Sequence, residues 1–219
     1  MTEQDWVAWH AAYDSPDSAL SQRLAIVQRH IRDALDACTS GPIRLVSLCA
    51  GQGHDVIGAL AGHLRAGDVQ ARLVELNEEN AARAQATAPP GVDVLCADAS
   101  DTSAYAGAVP ADVVLANGVF GNISPTDIEQ TVHALPSLCA PNASVVWTRH
   151  RREPDLTPAI RAWFAAAGFD EVAFEAPDLF IFAVGAHRLA RDPDPFVPGV
   201  KLFDFVGSDQ NWPSPTEPA

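Results

Sequence analysis

Short apolar runs alternate with amphipathic stretches along most of this chain, and that rhythm constrains the fold more than any other feature. The apolar runs are 43–49 (IRLVSLC), 69–76 (VQARLVEL), 92–97 (VDVLCA), 111–117 (ADVVLAN) and 143–149 (ASVVWTR). Such near-continuous apolar segments suit strands covered on both faces. Between and after them lie helical patterns at 54–64, 78–87, 125–135 and 158–167. Asn77 and Ser124–Pro125 are start signals, Pro136 a stop, and Thr157–Pro158 with Gly168 bracket the last helix. Strand and helix in alternation predict a parallel sheet with helices on both faces. The end breaks the rhythm. Residues 169–176 (FDEVAFEA) and 178–189 (DLFIFAVGAHRL) are two strand patterns with only a turn between them. So short a link permits antiparallel pairing and no parallel crossover. The expected architecture is therefore α/β, seven-stranded and mostly parallel, with an antiparallel last strand.

The flanks differ from this core. Trp6, Trp9 and Tyr13 share one helical face, and Leu20, Leu24, Val27, Ile31 and Leu35 form a second stripe that starts near Ser15–Pro16. Residues 1–40 are thus expected to be an N-terminal helical cap, 41–189 the ligand-binding domain and 190–219 a tail. The tail holds six of the seventeen prolines, and its one apolar run, 200–206 (VKLFDFV), fits either a cover for the site or a cover for the core.

Composition narrows the function classes. With 219 residues, 47% hydrophobic and 19% charged, the chain can bury a sizeable core. A net charge of −14 repels phosphate backbones, so no nucleic-acid partner is expected. No apolar run reaches the roughly 20 residues of a membrane helix, and MTEQDWVAWH lacks a secretory core, so the expected place is the cytoplasm, with no membrane partner. Arginine in place of all lysine but Lys201, with abundant alanine and proline, suggests a GC-rich bacterial genome. Cys38, Cys49, Cys96 and Cys139 form no metal-ligand spacing and read as free thiols; no metal is expected.

In an open parallel sheet, ligands bind beyond the carboxyl ends of the strands. The first such end is Cys49-Ala50-Gly51-Gln52-Gly53-His54-Asp55. Its glycines let a ligand lie against backbone, and a nicotinamide cofactor, a nucleotide phosphate and S-adenosylmethionine are all compatible with it. The dinucleotide fingerprint wants a third glycine where Val56 stands, and no Gly-Lys-Ser/Thr follows for a phosphate loop. Glu75, ending the second strand, suits the two hydroxyls of a ribose. Asp98, ending the third, suits an adenine amino group. Three such features at three successive strand ends are more specific than any one.

On these residues the chain resembles the class I S-adenosylmethionine-dependent methyltransferases over about residues 43–189, including the antiparallel last strand. RLVSLCAGQG is similar to the family's first motif, LVELN to its ribose motif, CADAS to its adenine motif, and ADVVLANGVFGNIS to its fourth. The resemblance implies a Rossmann-like fold and S-adenosylmethionine as cofactor. It further implies cofactor contacts from Cys49, Ala50, Gly51, Gly53, Glu75, Leu76, Asp98, Ala99, Asn117 and Gly118, with Asn117 and Gly118 near the methyl group. Two positions depart from the family. Ser47 stands where an acid is common, and Cys49 where glycine is common. The first removes a charge near the methionine ammonium, and Asp55 is the candidate to replace it.

Methyl transfer from a sulfonium needs alignment, exclusion of water and sometimes a base, but no metal. After strand four, Asn117 is a candidate catalytic residue, Phe120 a wall for substrate and Asn122 a substrate contact. After strand five, Arg149-His150-Arg151-Arg152 is a dense basic cluster in an acidic chain. His150 is the candidate general base, and Arg149 and Arg151 are candidates for a substrate carboxylate. Trp9 and Tyr13 would contact substrate if the N-terminal helix faces the site. The expected function is methyl transfer to a small-molecule acceptor, with a homodimer allowed. Non-methyl chemistry on the same cofactor, an oxidoreductase using NAD and a non-catalytic binding protein are the rivals.

Overall fold

The computed structural model describes residue 13 and residues 15–39 and 41–206. Its sheet is built from β1 (Ile43–Ser47), β2 (Val69–Glu75), β3 (Val92–Cys96), β4 (Ala111–Ala116), β5 (Cys139–His150), β6 (Phe169–Glu175) and β7 (Phe182–Leu189). The strand order is β3-β2-β1-β4-β5-β7-β6. β1 pairs in parallel with β2 and β4, and β7 runs antiparallel to both β5 and β6. This is the Rossmann-like sheet expected from the rhythm and from the short link before β7. The order reverses at β1, so the glycine turn after it opens at the switch point of the sheet.

Among the described residues five α-helices cover the sheet: α1 (Ala19–Ala37), α2 (His54–Leu60), α3 (Glu78–Thr87), α4 (Pro125–Ala134) and α5 (Thr157–Ala166). Local chemistry sets their starts. Asn77 accepts a hydrogen bond from the Asn80 N–H at 3.0 Å, and Ser124 accepts one from the Asp127 N–H at 3.1 Å, both as expected of N-caps. The cap of α1 is Ser18, three residues past the expected Ser15, because its hydroxyl receives the Ser21 N–H at 3.0 Å. α2 stops at Leu60, four residues short of its expected end, and β7 begins at Phe182, since 176–181 forms a loop. Of the expected N-terminal helix only Tyr13 is described; Trp6 and Trp9 lie outside the described residues. Among the described residues no helix is long and apolar enough to cross a membrane.

Two apolar layers sandwich the sheet. On one face Val27, Ile31 and Leu35 of α1 and Val56 and Ala59 of α2 pack on Leu45, Leu73, Leu115 and Val184. On the other, Ile128 and Val132 of α4 and Ile160 and Phe164 of α5 pack on Val114, Val145 and Trp147. Trp147 sits opposite Gly185 across the β5–β7 pair, and a Cβ at 185 would come within 2.3 Å of the indole. Glycine there is the space the ring occupies.

His187 completes this second layer. It receives the Trp147 Nε1–H at 3.2 Å and stacks on Phe164 at 4.3 Å. Burial lowers its pKa to about 4, outweighing the Glu171 carboxylate 3.7 Å away. The unfolded chain takes a proton there near pH 6.5, and the native state resists it until about pH 4. Stability is therefore undiminished by this residue above pH 6.5 and falls as pH drops toward 4, by about 3 kcal/mol in full. Urea unfolding of the wild type and of His187→Gln at several pH values will show this loss, with a flatter curve in the variant.

Candidate active site

A cleft of about 730 Å³ runs along the carboxyl ends of β1 to β5. It gathers Cys49, Ala50, Gly51, Asp55, Glu75, Leu76, Asp98, Ala99, Asn117, Gly118, Asn122, Arg149, His150 and Tyr13, which the sequence nominates from separate stretches. Gly53 lies outside the lining. It adopts φ +73°, a left-handed conformation, and ends the turn into α2. Cys49 adopts φ +50° as well, which explains why glycine is the easier residue at that position.

Glu75 holds the turn. One carboxylate oxygen accepts the Gly51 N–H at 2.8 Å and the other the Asn77 N–H at 2.9 Å. An ionised carboxylate offers about four acceptor sites, so two remain for a ligand. Asp98 accepts the Ser100 N–H at 2.9 Å through one oxygen at the β3 end of the cleft. Between the two acids, Cys49 is held as a neutral thiol. Burial pushes its pKa up, and the nearby Glu75 and Asp98 carboxylates add to the effect.

At the β1–β4 centre, Asp55 is buried and takes the Asn117 Nδ2–H at 3.0 Å on one oxygen and the Val56 N–H at 2.8 Å on the other. Burial raises its pKa, and these two hydrogen bonds oppose the rise. Ser47 lies below, its hydroxyl buried and without a hydrogen-bond partner. The loop after β4 is tied at both sides. The Gly118 N–H donates to Thr148 Oγ1 at 2.9 Å, and Asn122 Nδ2 donates to the Gly118 carbonyl at 2.6 Å.

Two expected substrate contacts are corrected. Phe120 points into the core against Trp147 and Phe164, fully buried beside the equally buried Val119. Arg151 spans the β6–β7 loop, donating to the carbonyls of Pro177 at 2.9 Å and Phe180 at 2.8 Å, and lies outside the cleft lining. Arg149 and His150 do line the cleft, both nearly buried; Arg149 donates to the Phe120 carbonyl. His150 Nδ1 accepts the Arg152 N–H at 3.3 Å. In the neutral ring the proton then sits on Nε2.

Three further contributors complete the lining. Arg23 of α1 lines the cleft and lowers the pKa of the Tyr13 hydroxyl, against a larger rise from burial. His54, which follows the glycine turn, sets its ring tilted against Tyr13 with centroids 4.7 Å apart. The third is a strap, residues 197–206, whose Lys201, Phe203 and Phe205 complete the lining. It is fixed by the Leu202 N–H to the Ser100 carbonyl (2.7 Å), the Thr102 N–H to Val200 (3.0 Å) and the Val206 N–H to Asn122 (3.0 Å). The apolar run 200–206 was its sequence signal; Lys201, Phe203 and Phe205 line the cleft, and Leu202 and Phe203 are buried in the core.

No protein-family model and no curated protein sequence matches the chain. Solved structures do share its fold. An O-methyltransferase family protein from Burkholderia thailandensis superposes with a TM-score of 0.63 at 16% identity, covering 87% of this chain and 61% of that one. The N-methyltransferase NodS from Bradyrhizobium japonicum, in complex with S-adenosylhomocysteine, gives 0.60 at 12% identity, over 85% and 98% of the two chains. Magnesium protoporphyrin IX methyltransferase from Synechocystis, with bound S-adenosylmethionine, gives 0.58 at 14%, over 84% and 90%. The chain thus spans under two thirds of the Burkholderia protein and nearly all of NodS. Identities this low establish a common fold.

The thiols provide a check on the site's electrostatics. Cys96 is exposed, whereas burial pushes Cys139 up to about 12 and Cys49 higher still. Iodoacetamide at pH 8, followed by peptide mass mapping, should modify Cys96 first and leave Cys49 and Cys139 largely unmodified in the native protein.

Proposed function

We propose that this protein is an S-adenosylmethionine-dependent methyltransferase acting on a small molecule. One observation carries the reading: Cys49, Ala50 and Gly51 of the glycine turn, Glu75 and Asp98 line one cleft, in that order, at the ends of β1, β2 and β3 of a sheet with an antiparallel β7. The residues present fit such a cofactor. The cleft volume lies within the usual range for small-molecule sites. Glu75 keeps acceptor capacity for ribose hydroxyls after serving Gly51 and Asn77, and Asp98 with Ala99 and Leu76 frames a flat ring. At the other end the buried Oδ1 of Asn117 has no partner, which suits a polar group arriving there.

The cofactor supplies a methyl group already activated on a sulfonium. The chain's own residues supply position. Thr148 and Asn122 fix the backbone of Gly118, so the loop after β4 presents a set surface beside the sheet. Phe203 and Phe205 of the strap and Tyr13 wall the cleft and limit water. His150, with Nδ1 engaged, offers an Nε2–H to an acceptor oxygen or anion and so orients it for in-line attack. The acidic surface and a cleft bounded by the strap favour a compact acceptor over a nucleic acid. Four free cysteines fit a reducing compartment, the cytoplasm.

Thermal unfolding with added ligands tests the assignment. S-adenosylmethionine and S-adenosylhomocysteine should stabilise the protein, by about 2.7 kcal/mol at 100 times the dissociation constant, and NAD should not. A shift with NAD alone would sink the reading. Glu75→Ala should abolish the nucleoside shift. For His150, the donor role predicts that His150→Gln retains more of kcat than His150→Ala, with the pH–rate profile unchanged in both. Loss of an ionisation from that profile in both variants would instead identify His150 as a base.

A further inference from the structure

Two kinds of glycine line the cleft. Gly51 and Gly118 adopt φ +56° and +73°, left-handed conformations that favour glycine. Gly121 also lines the cleft, yet its φ lies outside that region, so its backbone would accept a side chain. A Cβ at 121 would meet the imidazole edge of His150, 3.4 Å from Cδ2 and 3.9 Å from Nε2, which is ordinary contact. Among the described residues, then, neither conformation nor crowding calls for glycine at 121. What the missing side chain leaves is open cleft beside the His150 ring.

An aromatic wall stands at the same end. The strap arrives from the α4 face of the sheet, where Thr131 Oγ1 and Gln130 Nε2 donate to the carbonyls of Leu202 (3.1 Å) and Lys201 (2.9 Å). It crosses from Ser100, after β3, to the loop after β4. There Phe205 forms a β-bridge with Ile123, and the Val206 N–H donates to the Asn122 carbonyl at 3.0 Å. Phe205 is thereby brought to the residues that follow Gly121, with the Phe203 ring 6.3 Å from it between centroids. From the α1–α2 face, Tyr13 and His54 reach the same cleft. β4 lies two places from β2 in the sheet, so this end is separate from the Leu76, Asp98 and Ala99 end given to the adenine. A space floored by bare peptide and walled by aromatic rings suits a flat ring, which stacks on such walls; a saturated ring is puckered and thicker. Resting on the methyltransferase reading of the cleft, we propose that the methyl acceptor is a planar aromatic molecule, seated on the backbone of Gly121 between the His150 ring edge and Phe205 of the strap. Gly121 gives it room, and Phe205 selects for its flatness.

Titration calorimetry of the full chain tests this, first with S-adenosylhomocysteine alone and then, with that nucleoside saturating, with 2-naphthol and decahydro-2-naphthol. The two alcohols share a carbon skeleton and a hydroxyl and differ in planarity. The wild type should bind 2-naphthol about fivefold tighter or more. Gly121→Leu should weaken 2-naphthol about tenfold or more and leave S-adenosylhomocysteine within about twofold. Gly121→Ala should do the same to a smaller extent, and it decides the question if Gly121→Leu does not fold. Phe205→Leu should bring the two alcohols to about equal affinity. The aromatic acceptor is overturned, and the proposed function left standing, by any of four results: no binding of 2-naphthol, equal affinities in the wild type, a preference undiminished in the Gly121 and Phe205 variants, or a parallel loss of nucleoside and naphthol in them. A wild type that does not bind S-adenosylhomocysteine overturns the proposed function and this inference with it.

Discussion

The carboxylate of Glu75 is the fastening on which the site depends. It takes the Gly51 N–H from the turn after β1 and the Asn77 N–H from the start of α3, so one side chain ties two strand ends together. Charge-assisted bonds of this kind are among the stronger ones available to a side chain. The turn they hold contains residues in left-handed conformations at 49, 51 and 53. Those conformations keep backbone, rather than side chains, at the cleft surface.

Around that fastening the cleft divides by charge. Glu75 and Asp98 sit at the β2–β3 end, and Asp55 sits after β1. Arg149 and His150 sit at the β5 end, held by Phe120 and Arg152 backbone. In a protein with net charge −14, Arg149 brings a cationic side chain to that end. Arg151, next in sequence, takes no part because it has been recruited to hold the β6–β7 loop.

Much of this arrangement was legible from residue order, and the exceptions share a cause. Asn77 and Ser124 were readable as caps because a cap acts within three residues of itself. The antiparallel β7 was readable because chain length between strands limits how they can pair. The acids at 75 and 98 were readable because strand ends in such a sheet converge on one side. What failed was the direction of single side chains. Nothing local says that Phe120 turns inward onto Trp147, or that Arg23 reaches the cleft from α1. The tautomer of His150 depends on a backbone N–H two residues on, in a loop whose path the sequence does not specify.

The strap has a bearing on how the protein is made. Its bonds join Thr102 and Ser100 to Val200 and Leu202, pairs about a hundred residues apart along the chain. Contacts at such separation form late, since the entropy of closing the loop must be met before they return anything. A ribosome delivers β1 to β7 before it delivers residues 197–206. During synthesis the sheet can therefore pack while its cleft still lacks one wall, and the last described stretch of chain turns a folded sheet into an enclosed site.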